Sequence, residues 1–516
     1  MRFKLDARLV FSKDVSEHGK KIGDALDTAN SDLLLRGVPK HMDSDEEKKA
    51  AGAQIMSWKV EGQELFLNIE SGNYVRAHEA VLRLRKFLGQ ELGKEIRAGI
   101  RQAFLDTYSV VFELPFEPLK ELKIPFAEEV LVDGKTCTLV LKDVKDDFVQ
   151  KNSIDRMITR LKAKCEAQRY EGKAEFWQLK EEHGEGQAKW DKDPTEEMLK
   201  LSWLKQGPTK GKWFYRPQLA RVLRTMQEIA MEEFMKPLGF QEVIASHMVP
   251  FDVWVKTGHM EGVPNEVYYI SEPKTRDAGA WEEFVDHVNI TRQVPREMLP
   301  DLLTLPNAGT CYAQCPVIYW SLQGETISTD SLPIQIYDMT ANSNRYESGG
   351  RHGIERVDEF HRMEPVYIGT PEQLVNLREN MLDRYRHIFN DILELDWRMA
   401  WVTPFYMQQA GQVAHEEDVQ EHVKGTIDFE AYLPYRGTRK DSEWLEFQNL
   451  SIMGDKYTKA FNIKSQSGEE LWSGCSGIGL ERWTAAFLAQ KGLDSANWPK
   501  AFLERLGELP SGIKLL

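Results

Sequence analysis

Three segments far apart in the chain concentrate residues able to do phosphate and metal chemistry. In the first, Asn344-Arg345-Tyr346-Glu347 is followed by a glycine-rich stretch, Ser348 to Gly353, and then by Ile354 to Glu364. The pattern predicts two antiparallel strands around a glycine-rich tip, with Arg345, Glu347 and Arg356 on one side. Arginine suits polyphosphate because its planar fork donates two parallel hydrogen bonds and keeps its charge. The same residues also fit an exposed hairpin carrying surface charge. The second segment, Trp444-Leu445-Glu446-Phe447-Gln448-Asn449-Leu450-Ser451, is a mainly apolar strand with several oxygen donors. Those oxygens suit magnesium, or the polar groups of an edge strand. Strand alternation puts Glu446 and Gln448 on one face, Asn449 and Ser451 on the other. The third, Gly474-Cys475-Ser476-Gly477-Ile478-Gly479-Leu480-Glu481-Arg482-Trp483, is a glycine-rich strand end entering a helix, with Arg482 in the helix's first turn.

Other signals are weaker. Cys315 and Cys475 stand 160 residues apart, and on spacing alone they are buried structural thiols, as are Cys137 and Cys165. Gly207-Pro208-Thr209-Lys210-Gly211-Lys212-Trp213 superficially resembles a phosphate loop. Its spacing is one residue short, and Trp213 replaces the hydroxyl residue that would hold magnesium. Along 76–101, seven basic residues (Arg83, Arg85 and Lys86 among them) face three glutamates. Such a stripe suits RNA phosphates, or is simply a solvated helix face.

The elements that must carry these residues are legible from periodicity. Residues 3–11 alternate as a strand, and hairpins are predicted at 58–67 and 130–141, the latter turning at Asp133-Gly134. Helices fall near 16–35, 73–92 and 153–168, which makes residues 1–168 an α+β domain. Residues 169–212 are charged and poor in aliphatics, like a linker. From Pro217 to Phe234 apolar residues recur every three or four positions as a long helix that Gly239 stops, followed by a strand at 241–245. The 516 residues carry a net charge of −15 and are 41% hydrophobic, which excludes a disordered chain and a protein that coats nucleic acid non-specifically. No apolar run approaches the roughly 18 residues a membrane helix needs. The N-terminus lacks a signal peptide, and five cysteines make no disulfide framework, so a soluble cytoplasmic protein is expected.

In this order, a long helix plus strand, an R-x-E hairpin and a G-x-G-x-E-R helix start resemble the catalytic domain of class II aminoacyl-tRNA synthetases. More closely, Cys311 to Cys315, Arg345 to Gly350, His352 to Arg362 and Trp472 to Trp483 look like the type-2, methanogen-type seryl-tRNA synthetase family. The resemblance runs over essentially the whole chain. It implies an N-terminal α+β tRNA-binding domain at 1–168, a linker at 169–212, and a catalytic domain at 213–516 whose central antiparallel sheet is flanked by helices. The implied reaction activates L-serine with ATP and transfers it to tRNA(Ser), and also to tRNA(Sec). Implied zinc ligands are Cys315, Glu364 and Cys475; Glu446 and Ser451 would ligate the magnesium that accompanies ATP. Arg345 would bridge the serine carboxylate and α-phosphate, and Glu347 would face the adenine. Arg356 and Arg482 would hold the terminal phosphates, with Tyr346 and Val357 alongside the nucleotide. Cys311, Arg362, Met363, Gln409 and Asn449 would complete the serine pocket, with Gln409 reading the hydroxyl. Only 34 residues follow Arg482, too few for an anticodon domain, so Arg83, Arg85 and Lys86 become the expected tRNA contacts. The family is homodimeric, binding neither DNA nor membrane; the proline usual near the end of its first motif is missing at Ser246, which bears on dimer packing. Rival readings are an amino acid:carrier-protein ligase using the same zinc site, and a non-catalytic RNA-binding homologue.

Overall fold

Alternation from Arg2 to Phe11 yields the expected strand, β1, with every second residue buried. It lies in a computed structural model that describes all residues except 40–41, 43, 145–147, 149–152, 169–176, 186–189, 341, 348–349, 403–423 and 514–516. The chain divides into two compact units, Met1–Lys173 and Ala174–Leu516.

In the first unit, β2 (Ala53–Glu61) and β3 (Glu64–Ser71) form the first predicted hairpin. β4 (Ile100–Glu113), β5 (Glu129–Asp133) and β6 (Thr136–Val144) complete an antiparallel sheet of order β2-β3-β1-β4-β6-β5. Gly134, at φ +56°, makes the turn between β5 and β6, a conformation glycine adopts without the Cβ penalty. Helices α1 (Gly19–Ser31), α2 (Ala77–Glu95) and α3 (Ser153–Gln168) contribute to the same core. On α2 the core residues Val81, Leu84, Leu88 and Leu92 repeat at helical spacing, each worth about 2 kcal/mol of burial. Elsewhere in the sheet, Arg8 bridges Glu64 and Asp106, both at 2.8 Å.

The second unit is built on a ten-stranded sheet. Its first strand is β7 (Trp177–His183), from the stretch read as a linker; 169–212 also supplies a helix, Pro194–Lys200, and the hairpin β8 (Leu204–Gln206) to β9 (Trp213–Tyr215). β7 is charged yet pairs along the edge strand it meets, because ladder hydrogen bonds need no apolar side chains. Helix α4 (Pro217–Ala230) starts at its proline and runs through a wider turn, Met231–Met235, before Gly239 reverses the chain at φ +74°. The strand after it is shorter than expected, only Gln241–Glu242, called β10. The remaining long strands are β11 (Ile334–Asp338), β12 (Glu359–Gly369), β13 (Trp397–Val402), β14 (Gly425–Ala431), β15 (Leu445–Gly454) and β16 (Trp472–Cys475). They order as β10-β11-β12-β16-β15-β14-β13-β7, antiparallel except between β10 and β11, and two short strands, Asn342–Asn344 and Ile478–Gly479, pair beside β12. One sheet face packs on α4, α5 (Pro371–His387) and α6 (Leu480–Lys491); the other packs a smaller cluster around Trp254, Tyr319 and Tyr457. No helix among the described residues is long and apolar enough to cross a membrane.

Candidate active site

Strand register gathers the chemistry on one sheet face. Cys475 stands opposite Val366 on β12 and opposite Ser451 on β15; Ser451 in turn opposes Thr426, and Asn449 opposes Asp428. Directly opposed residues share a face, and so do alternate residues of one strand. Arg362, Glu364, Cys475, Ser451, Asn449 and Asp428 therefore all point to the side of the smaller cluster. Cys315, at the start of helix Cys315–Ser321, approaches from that cluster. The two thiols and one Glu364 oxygen lie within 4.8 Å of one another, and all three residues are buried.

The donor set fits a metal ion. Neither Glu364 oxygen is in hydrogen-bond geometry with a donor, although Arg362 Nε makes an ion contact with Oε2. Burial pushes the Glu364 carboxyl above its usual range, and the hydrogen bond with Cys315, then burial, push the Cys475 thiol well up. Glu364 and Cys475 thus strain toward neutrality where a dication would reward their charged forms. Two thiolates and a carboxylate are a donor set that would suit zinc.

Beside this cluster runs a cavity of about 360 Å³, lined by Arg345, Arg362, Glu446, Asn449 and Ser451 among others. Arg345 lies over the rings of Tyr312 and Phe360 (4.3 and 5.5 Å), and its buried Nε has no hydrogen-bond partner. The stacked rings fix the guanidinium while leaving its polar edge to a ligand. A second cavity of about 780 Å³ is lined by Arg351, Arg356, Arg436, Glu446 and Arg482. Glu446 borders both. Arg482 donates to its carboxylate at 3.1 Å and to its main-chain oxygen at 2.9 Å.

Glu446 reaches this face because the strand is irregular. Strict alternation separates it from Asn449 and Ser451, but Phe429 opposes Gln448 while Glu430 opposes Glu446, so Phe447 is an extra residue. A bulge of this kind re-aims the side chains beyond it. The predicted first hairpin also differs. Its strand ends at Asn344, its return strand starts only at Glu359, and Gly353 (φ +50°) helps close a tight His352–Arg356 turn between them.

Other expected residues are placed less directly. Glu347 lies 3.7 Å from Arg356, while Tyr346 is exposed beneath Arg351. Val357 is buried away from both cavities, and Met363 enters the core on the opposite sheet face. The Cys311 thiol is buried, its pKa pushed up to about 12 by burial, and its main chain rather than its sulfur meets the hairpin through Asn344. Gln409 lies outside the described residues. On α2, Arg83 caps the Leu33–Leu35 turn through Arg36 O at 2.6 Å, Arg85 approaches Arg101 O, and Lys86 is exposed. Sequence reading missed His259, Asp428 and Glu430, which also line the first cavity. Asp428 and Glu430 had a signal, acidic residues alternating within an apolar strand; a lone histidine had none.

Comparison with known proteins decides the family. Over the whole length of both chains, the protein is 45% identical to a type-2 serine–tRNA ligase of Methanococcoides burtonii and 44% identical to that of Methanothrix thermoacetophila. The chain belongs to the type-2 serine–tRNA ligase family. The enzyme from Methanocaldococcus jannaschii is 32% identical over 100% of this chain and 98% of its own. Residues 1–163 match a family described as a tRNA-binding domain. A crystal structure of A. aeolicus tRNASec in complex with M. kandleri SerRS superposes with TM-score 0.82 at 29% identity, covering 100% of this chain and 99% of that one. These full-length matches leave a carrier-protein ligase or a non-catalytic homologue unfavoured. A serine–tRNA ligase is also what the two arginine-lined cavities suit.

Proposed function

We propose that the protein activates L-serine with ATP in the two cavities that Glu446 borders and then charges tRNA(Ser). The reading is carried by one juxtaposition: a thiol–carboxylate–thiol cluster opening onto the cavity where Arg345 presents an unpaired guanidinium edge. Zinc held by Cys315, Glu364 and Cys475 would supply a Lewis acid for the substrate's amino group. The chain's own residues do the rest. Arg345 draws the serine carboxylate and the α-phosphate together and offsets their repulsion. A carboxylate oxygen then bonds to the α-phosphorus as the bond to pyrophosphate breaks. Arg356 and Arg482 take up charge on the leaving phosphates, and Glu446, with Ser451, would hold the magnesium that travels with ATP. Such chemistry depends on positioning and neutralisation rather than covalent help. In the second step a terminal ribose hydroxyl attacks the seryl carbonyl and AMP leaves.

The first unit would supply the RNA surface, and a cytoplasmic homodimer that also charges tRNA(Sec) is the form we expect. ATP–pyrophosphate exchange across the amino acids, followed by charging of tRNA transcripts, tests the reading. Exchange with serine alone, and charging of tRNA(Ser), is expected; serine-dependent exchange without charging of any tRNA would overturn it.

A further inference from the structure

Helix Phe251–Thr257 ends at Gly258, whose φ of +80° turns the chain back at once and delivers His259 to the cavity wall. The residue is only 8% exposed, and its ring meets Tyr312 edge-on at 5.8 Å, the same ring on which Arg345 rests. One edge of the imidazole is occupied: Thr257 Oγ1 lies 2.8 Å from Nδ1. That hydroxyl also lies 3.2 and 3.3 Å from the carbonyl oxygens of Val253 and Trp254. Carbonyls only accept, and a helical threonine habitually donates to the carbonyl four residues back. The Thr257 proton is therefore spent on the backbone, and its lone pair accepts from Nδ1–H. On this assignment Nδ1 carries the proton and Nε2 is left as an acceptor.

No described residue is hydrogen-bonded to Nε2, and His259 lines the cavity. Burial, followed by the charges of Lys456, Arg345 and Arg362, pushes the pKa of His259 down to about 3, so the ring stays neutral at working pH. Those three neighbours can only donate. An acceptor among them can do what these three cations cannot, namely receive a hydroxyl proton.

We propose that His259 contacts substrate through Nε2, accepting a hydrogen bond from an aliphatic hydroxyl brought into the cavity. Under the functional reading above, on which this rests, that hydroxyl belongs to serine or to the terminal ribose of tRNA. The two sources share one chemistry and act in different half-reactions.

The test uses the full-length enzyme with His259→Asn and His259→Gln. Asparagine keeps a donor for Thr257 but falls short of the Nε2 position; glutamine places an amide oxygen near it. Serine- and alanine-dependent pyrophosphate exchange and single-turnover transfer from preformed seryl-adenylate are compared with the parent. His259→Asn is expected to lose about tenfold or more in one half-reaction, with glutamine restoring part and the thermal midpoint unchanged. Loss in exchange with a narrowed serine–alanine ratio assigns the serine hydroxyl; loss confined to transfer assigns the ribose. Parental rates in both half-reactions overturn the proposal. So does an equal loss in both variants with a lowered midpoint, which makes the ring a packing element. Serine exchange by the parent tests the functional reading separately, because the His259 result is read as a ratio to it.

Discussion

A single carbon separates glycine from alanine at 477, and that carbon would collide with a site residue. A Cβ there would overlap the Arg362 guanidinium, which lies against the backbone on its way to Glu364. Gly477→Ala should displace Arg362 without disturbing the core. Serine-dependent exchange is expected to fall about a hundredfold, as small misplacements at a reacting centre do, with the thermal midpoint retained. The thiols make a second case. Cys475→Ala removes one thiol of the buried Cys315–Glu364–Cys475 cluster, so on the proposed zinc assignment metal analysis should show zinc lost together with exchange activity. Full activity in a zinc-free sample would refute the assignment. Zinc alone cannot choose serine, since any amino acid offers an amino group. Rejection of alanine must come from groups that would be left unpaired without the hydroxyl, which His259 and Asn449 are placed to provide.

At the scale of elements, the arginine hairpin is held from its root. Asp358 is almost wholly buried and receives Arg351 through two bonds, at 2.7 and 2.6 Å, along with the Tyr268 hydroxyl. Its main chain accepts from Arg345 N at 2.9 Å and donates to Gly211 O at 2.8 Å. The turn that imitates a phosphate loop in sequence is thus a brace for the hairpin, and Trp213 adds a bond to Gly353 O at 2.8 Å. Burial alone would raise the Asp358 pKa, but Arg351 and Tyr268 hold it below its ordinary value. A carboxyl depressed on folding stabilises above its unfolded pKa and loses that contribution as pH falls through the folded value. Asp358→Asn should therefore cost about 2 kcal/mol at pH 7, with the difference from the parent shrinking below about pH 4. Thermal midpoints across pH check this; a gap that widened in acid would contradict it.

For the whole molecule, the division into Met1–Lys173 and Ala174–Leu516 suggests a division of labour. Removing residues 1–173 should leave serine-dependent exchange largely intact and abolish tRNA charging. Charging by the truncated protein at the parental rate would disprove it. Within the first unit the basic stripe is not uniform: Arg76 is paired with Asp155 and Arg83 with backbone oxygens, whereas Lys86 is exposed. Lys86→Ala should weaken tRNA binding and flatten its salt dependence by about one counterion. Arg83→Ala should show mainly as lost stability.

Local patterns in the sequence were sufficient for the alternating strand at 2–11, the Asp-Gly hairpin, the helix opened by Pro217, and the ordered arginine, carboxylate and cysteine segments. Those features depend on neighbours in the chain, so a single sequence carries them. The family resemblance pointed to Cys315, Glu364 and Cys475 as one cluster, which spacing alone could not, because Cys315 and Cys475 meet only when β12, β15 and β16 are in register. Three further outcomes needed the fold itself. Glu446 joins Asn449 and Ser451 through a bulge that strand periodicity does not announce. The charged stretch at 177–183 becomes an edge strand because a partner strand is there to pair with it. His259 owes its lowered pKa to burial and then to three cations distant in sequence. Propensity and periodicity are short-range properties, whereas register, burial and electrostatic environment arise only when remote segments are packed together.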